Sequence, residues 1–287
     1  MNPRQQAPGF ASLPALGVWV RAAALAVTFR AAAHAAQGSE APRASVLFCG
    51  DFEQGNLAGW RWDFARSDSA RVVSDPVRRG RHAVEITLKP GDVAALKNRA
   101  ELMFKDKQLE LVHARPGAEL WYGWSVLVPA DDPDPRPGNF HILGQWHGRP
   151  ARAATAATSA SQPERRAPRR PTLALHFKYG ATGYALNLYH HPGAAVEGHL
   201  IATRAVRKGE WIDLVFHVKW SEGKDGFVEA WLDGKPYTAG KVYGATLQNP
   251  AATYLRLGLY RPHGGETTNR VYLDEVRVGD SYAAVAP

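Results

Sequence analysis

From Ser45 onward the chain is a series of short runs in which apolar and polar residues alternate, broken by Gly, Pro, Asp and Asn. Side chains of a strand point alternately to its two faces, so a period of two predicts strands with one buried face. "AVEITL", "ELWYGWSVLVP", "FHILGQWH", "TLALHFKY", "YALNLYH", "EWIDLVFHVKW", "GFVEAWLDG", "YLRLGLYR" and "RVYLDEVRVG" all fit. In "EWIDLVFHVKW", Ile212, Leu214, Phe216, Val218 and Trp220 share one face; Trp211, Asp213, Val215, His217 and Lys219 share the other. That is the pattern of a half-buried antiparallel strand. Asp233-Gly234 is a tight-turn signal at the end of the next run. No window of useful length has helical periodicity. The prediction is an all-β sandwich or barrel.

Three runs carry polar groups where a core needs apolar ones. "KNRAEL" places Arg99 and Glu101 on one face. "GQWH" places Gln145 and His147 on one face, with Trp146 opposite. "YLRLGLY" places Tyr254, Arg256, Gly258 and Tyr260 on one face and Leu255, Leu257 and Leu259 on the other. If these polar faces lie on one sheet, they gather an arginine, an amide, an imidazole and a phenol. An arginine with an amide suits binding of a carboxylate, and an imidazole with a phenol suits proton transfer. Each taken alone fits an ordinary ion pair, a satisfied histidine or a packing tyrosine; their co-occurrence carries the chemistry.

Composition narrows the partners. Hydrophobic residues make up 45% of the chain, enough for a large core, and nine Trp supply much aromatic surface. The one cysteine, Cys49, excludes an internal disulfide and a cysteine metal site, and its place at the end of an apolar run reads as a small buried hydrophobe. The net charge of +8 is unevenly spread. Residues 1–40 carry three Arg against one Glu, and 149–170 carry six Arg against one Glu, which leaves +1 for the rest. Basicity therefore gives no argument for nucleic acid.

Two segments fall outside the strand pattern. The run "RAAALAVTF" with the small-x-small "AHA" beyond it makes residues 1–36 read as an export signal, hence a secreted or periplasmic protein. No stretch reaches the roughly 18 uninterrupted apolar residues of a membrane helix, so no membrane insertion is expected. Residues 149–171, rich in Arg, Ala and Pro, read as a disordered insertion between two strands.

"NRAEL", "QWH" and "YLRLGLY" resemble the three signatures of jelly-roll alginate lyases, which run approximately R-S-E-L, Q-I-H and Y-F-K-A-G-x-Y. "GQWHG", "WIDLVFHVKWSEGKDGFVEAWLDGK", "LRLGLYR" and the closing "VYLDEVRVG" resemble the heparin lyase I-like and glucuronan lyase group more closely. The likeness covers Phe48 to Val278, apart from the insertion. Ala100 stands where alginate lyases carry Ser or Thr, and Arg256 where Lys is usual; both keep the face and the charge. The resemblance implies a single β-jelly-roll domain over residues 45–282, two antiparallel sheets with a concave substrate groove.

It also implies β-elimination on a uronic-acid polysaccharide, glucuronan or another polyuronate, leaving unsaturated uronate ends. The C5 proton of a uronate is weakly acidic because the ionised carboxylate resists further negative charge. Arg99 and Gln145 are the expected groups for neutralising that carboxylate. His147 and Tyr260 are the expected base and acid. Where H5 and O4 lie on the same side, as in glucuronate or mannuronate, Tyr260 serves as both. Where they lie on opposite sides, His147 is the base and Tyr260 the acid. His141, by parity with Gln145, together with Lys178, Asn187, Tyr189 and Arg256, is expected to contact substrate. Glu53 in "DFEQGN" and Asp274 in "YLDEV" resemble strands that hold a structural Ca²⁺ in many sugar-active jelly rolls; no cofactor is expected for the chemistry itself. The expected partner is an anionic polysaccharide bound by a monomer.

Two other functions share these features. A jelly-roll glycoside hydrolase needs two carboxylates about the scissile bond, and no strand shows the E-x-D-x-x-E spacing of jelly-roll glucanases. A carbohydrate-binding module keeps the fold and the aromatics without needing Arg, Gln, His and Tyr together.

Overall fold

The computed structural model describes residues 44–104, 114–148, 170–192, 197–248 and 253–287. The expected export signal and nearly all of the expected 149–171 insertion lie outside these residues. No helix among the described residues is long and apolar enough to cross a membrane.

Sixteen strands are described: β1 (Val46–Gly50), β2 (Trp60–Asp63), β3 (Ala70–Val73), β4 (Ala83–Leu88), β5 (Arg99–Phe104), β6 (Glu119–Leu127), β7 (Phe140–Gly148), β8 (Leu173–Gly180), β9 (Gly183–His190), β10 (His199–Val206), β11 (Trp211–Lys219), β12 (Phe227–Leu232), β13 (Lys235–Pro236), β14 (Val242–Tyr243), β15 (Thr253–Tyr260) and β16 (Asn269–Gly279). They form two antiparallel sheets. One has the order β13-β12-β11-β6-β16-β4-β3, with β1 also on β16 and β14 also on β12. The other has the order β10-β9-β8-β7-β15-β5-β2. A helical turn, Tyr282–Val285, packs on the outer side of the first sheet around Val215, so that strand face is covered as well. The fold is the expected all-β sandwich.

The core lies between the sheets, built from the alternate residues the sequence pattern predicts. Ile212, Leu214, Phe216, Val218 and Trp220 of β11 are all buried, as are Leu255, Leu257 and Leu259 of β15. Trp124 of β6 meets Trp146 of β7 across the gap with ring centroids 5.7 Å apart, and stacks on Phe216 at 4.9 Å. Trp220 donates its indole N–H to the Tyr122 hydroxyl (3.0 Å), which satisfies a polar group inside the core. Full burial of each such apolar side chain stabilises by roughly 1.5–3 kcal/mol. Asp233 and Gly234 both have positive φ (51° and 70°), which a type I′ turn between β12 and β13 requires.

Two irregularities position the face that carries the polar residues. The β7 ladder shifts register between Ile142 and Gly144, and the matching β15 ladder between Leu257 and Tyr260. A bulge adds one residue and reverses parity beyond it. At Gly258, φ is 142° and a Cβ would sit 2.3 Å from the Ala100 carbonyl oxygen. Only glycine lets β15 approach β5 this closely.

Candidate active site

The middle of the second sheet turns its polar residues away from the core. On β5, Ala100, Leu102 and Phe104 enter the core, so Arg99 and Glu101 take the outer face. On β7, Trp146 enters the core, and Gln145 and His147 take the outer face. On β15, the three leucines enter the core, and Tyr254, Arg256 and Tyr260 take the outer face. The pairing brings these strands side by side: Arg256 lies opposite Gln145, Tyr254 opposite His147, and Tyr260 opposite Arg99. The four expected chemical groups therefore share one face of one sheet. His147 and Tyr260 mark its two ends, with Gln145, Glu101 and Arg256 between.

Glu101 is the hub of this cluster, and it was not among the residues expected to act. It is 1% exposed. Its Oε2 accepts from Arg99 (3.1 Å) and Arg256 (3.2 Å), and its Oε1 accepts from Gln145 Nε2. A carboxylate can only accept, so this bond fixes the Gln145 amide with its nitrogen toward Glu101. The amide nitrogen keeps a second hydrogen, and Gln145 itself is 1% exposed. Strand parity had placed Glu101 beside Arg99; the sequence gives no sign that a third and a fourth residue converge on it. Gly258 lies opposite Glu101 and adds no side chain above it.

Arg99 and Arg256 differ in what they have left to offer. Arg256 donates to Asp63 (2.6 Å), Glu101 and the Tyr254 hydroxyl (3.0 Å). The negative charges around it push its guanidinium even above the usual arginine range against the opposing effect of burial. Expected as a substrate contact, Arg256 is here engaged within the protein and serves to balance Glu101 and Asp63. Arg99 has Glu101 as its hydrogen-bond partner, and its guanidinium lies 4.4 Å over the Tyr260 ring. Such cation–π contacts are worth about 0.5–2 kcal/mol and hold both groups in register. Its Nε is buried without a partner. With two arginines set against two carboxylates, the cluster is charge-balanced before any ligand arrives.

His147 is half-buried, and its Nδ1 lies 3.1 Å from the Gly148 carbonyl oxygen. A carbonyl only accepts, so Nδ1 carries the proton and Nε2 is left with the free lone pair. Burial lowers the His147 pKa from the usual range, the Gly148 bond opposes that shift, and the charges on Arg256 and Arg99 add to it. The ring is thus neutral at neutral pH and competent to accept a proton.

The outer face continues onto β8 and β9. His176 stacks on Phe140 (4.0 Å between centroids) and lies 4.5 Å from the Tyr189 ring. Lys178 donates to the Tyr189 hydroxyl (3.3 Å). Asn187 accepts from Thr203 (2.6 Å). Lys178, Asn187 and Tyr189 are thus on the expected face. His176 and Phe140 belong to it too and were missed, although the alternation in "TLALHFKY" pairs His176 with Lys178.

Two expectations fail. His141 does not share a face with Gln145: the bulge between them reverses parity, so His141 pairs with the core-facing Phe177 whereas Gln145 pairs with Ala174. Glu53 and Asp274 do not fit a shared calcium site as arranged. Glu53 Oε1 accepts the N–H groups of Arg81 (2.7 Å) and His82 (2.9 Å). Asp274 accepts those of Arg78 (2.9 Å), Arg79 (3.1 Å) and Glu275 (2.7 Å). N–H donors claim the lone pairs that a hard cation would need. The pair clamps the 78–82 segment instead.

Comparisons with known proteins agree with this architecture. The chain resembles the endo-β-1,4-glucuronan lyase of the fungus Trichoderma reesei (TM-score 0.59, 21% identity, covering 85% of this chain and 99% of that one). It also resembles an alginate lyase from Pseudomonas aeruginosa (TM-score 0.50, 13% identity, 79% and 100%). The catalytic domain of a glycoside hydrolase family 131 protein from Coprinopsis cinerea is similar as well (TM-score 0.56, 11% identity, 84% and 97%). At these identities the likeness is one of fold, the jelly roll, which serves more than one chemistry. No curated protein matches the sequence. The sequence profile of the polysaccharide lyase family matches residues 52–277, most of the chain and all of the cluster described above. The chain therefore belongs to the polysaccharide lyase family and is an enzyme of that class.

Proposed function

We propose that this lyase cleaves a polyuronate of the glucuronan type by β-elimination on the outer face of the β7–β15–β5 sheet. The observation that carries the reading is the junction of Arg99 and Gln145 at Glu101, flanked by Tyr260 and His147. A substrate carboxylate placed over Arg99 and the free Gln145 N–H meets one charge and one directed donor. Donors fixed in advance favour the charge that develops when H5 leaves, which is often the largest catalytic contribution. Tyr260, braced by Arg99, takes H5 and returns a proton to O4 as the C4–O4 bond breaks and the C4–C5 double bond forms. The base and the acid are one group when both atoms lie on the same side of the ring, as in glucuronate. The structural likeness to a glucuronan lyase favours this polymer. On guluronate or iduronate, His147 Nε2 removes H5 from the opposite side and Tyr260 protonates O4.

The test is a panel of glucuronan, alginate and heparin-type chains, followed by the ultraviolet absorbance of the unsaturated uronate. Glucuronan should give the fastest rise. Reducing sugar released without that absorbance would identify a hydrolase, and a protein that binds but cleaves nothing would be a binding module.

A further inference from the structure

Beyond the Glu101 cluster, the outer face of the second sheet carries a cation in a different state from Arg99 and Arg256. Lys178 of β8 is half-buried, and its Nζ donates to the Tyr189 hydroxyl (3.3 Å). Among the described residues it forms no ion pair, whereas Lys89, Lys208 and Lys219 each meet an aspartate. An ammonium has three donors and no acceptor, so two of its N–H groups stay open. Arg99, Arg256, Glu101 and Asp63 balance one another, and His147 is neutral. His176 is neutral too, its pKa pushed down to about 3 by burial and by Lys178 itself. Of these groups, Lys178 alone adds a charge that the others do not offset.

The position of that charge follows from the strand register. Tyr260 lies opposite Ile142 of β7, Ile142 opposite His176 of β8, and His176 opposite Asn187 of β9. These residues form one row across the strands. Lys178 pairs with Ala185, and Tyr189 with Ala174, on either side of that row. The two side chains still meet, so both lean toward His176. The ammonium is held there between two rings, with Nζ 5.5 Å from the Phe140 centroid and 5.5 Å from the Tyr189 centroid. The stacked rings of Phe140 and His176 form a flat floor beside it. Two strand spacings separate this point from Tyr260, about 10 Å. The intervening residue of the row, Ile142, is apolar and carries no charge.

We infer that Lys178 receives the carboxylate of the uronate next along the chain from the one held at Arg99, Gln145 and Tyr260, with that sugar lying over Phe140 and His176. The inference rests on the polyuronate reading above and adds a direction to it: the polymer crosses the strands from β15 toward β9. The enzyme then reads two successive carboxylates and prefers polymers in which uronates are adjacent. A neutral sugar at this position leaves the Lys178 ammonium without a counter-charge.

Binding separates this inference from the catalytic one. Titration calorimetry of a glucuronan hexasaccharide is carried out on Tyr260→Phe protein, so that nothing is consumed, with and without Lys178→Met. Methionine keeps an unbranched stem between the Phe140 and Tyr189 rings and removes only the charge and its donors. The hexasaccharide should bind the Lys178→Met protein about tenfold more weakly, as for loss of a charge-assisted hydrogen bond. The gap should narrow when salt is raised from about 0.05 M to about 0.5 M, because it is electrostatic. A hexasaccharide that does not bind, that binds both proteins alike, or that shows the same gap at both salt concentrations overturns the subsite. Binding that follows the prediction in an enzyme whose parent yields no unsaturated uronate would leave the subsite standing and refute the elimination chemistry.

Discussion

Replacing Glu101 by Gln tests whether the cluster is one connected unit. The substitution keeps the shape and removes one charge. In the folded protein Glu101 is almost wholly buried and accepts from Arg99, Arg256 and Gln145. Without it, two guanidiniums, each no more than 9% exposed, lose their common counter-charge, and only Asp63 remains opposite Arg256. Breaking a buried ion pair from one side typically costs about 3–5 kcal/mol. For a domain of this size each kcal/mol shifts the melting temperature by about 2–4 °C, so Glu101→Gln should melt roughly 6–20 °C lower. The new amide can also present its NH₂ to Gln145, which then turns over and loses the hydrogen directed at the substrate. Turnover measured well below the new melting temperature should therefore fall, with kcat more affected than KM. Thermal melts by circular dichroism and initial rates on the best polymer are the assays. A melting temperature within a degree or two of the parent, or full kcat at a temperature where the variant is folded, would refute the view that Glu101 organises the site.

Three further predictions follow from the geometry. Gly258→Ala sets a Cβ against the Ala100 carbonyl and strains a φ of 142°, so a loss of at least about 1–3 kcal/mol is expected in denaturant titration; an unchanged midpoint would show that β15 does not approach β5 so closely. His147→Ala should abolish cleavage of guluronate-rich chains and reduce cleavage of glucuronan much less, because Tyr260 can perform both transfers there; equal losses on both polymers would contradict this division of labour. Stability should fall as pH drops below the ordinary histidine range. His141, His176 and His191 titrate near 4, 3 and 4 when folded, so the unfolded chain binds more protons there and is favoured. Asp132 and Asp274, both raised to about 6 by burial, act in the opposite sense between their ordinary carboxylate range and pH 6. His176→Phe preserves the stack on Phe140 and should flatten the acid limb of the melting-temperature profile; an unaltered limb would show that the ring is not buried in its neutral form.

The strands of the core could be read from the sequence because burial on one side imposes a period of two over seven to eleven residues. Thus β11 and β15 appear with the right faces. The short β2 (four residues) carries too little pattern to announce itself, so the Asp63 counter-charge to Arg256 was not legible. Parity holds only while the ladder is regular. It correctly joins Gln145 to His147 and fails for His141, because a bulge adds a residue without any clear mark in "FHILGQ". The convergence of Arg99, Arg256 and Gln145 on Glu101 depends on which strands are neighbours, and one sequence does not state that order. Glu53 lies in the turn after β1 and Asp274 in the middle of β16, but whether a carboxylate meets a cation or a row of N–H groups is decided by the fold of the 78–82 segment.

The most direct test of the account is the turnover of Tyr260→Phe against the parent on the polymer the parent cleaves best, followed by the absorbance of the unsaturated uronate. The variant keeps the ring that Arg99 lies over and loses only the hydroxyl that is held to move the proton. The account predicts that kcat falls by about 10²-fold or more, as for loss of general acid–base help, while KM and the melting temperature stay near those of the parent. A Tyr260→Phe enzyme that releases unsaturated uronate at the parent's rate would contradict it.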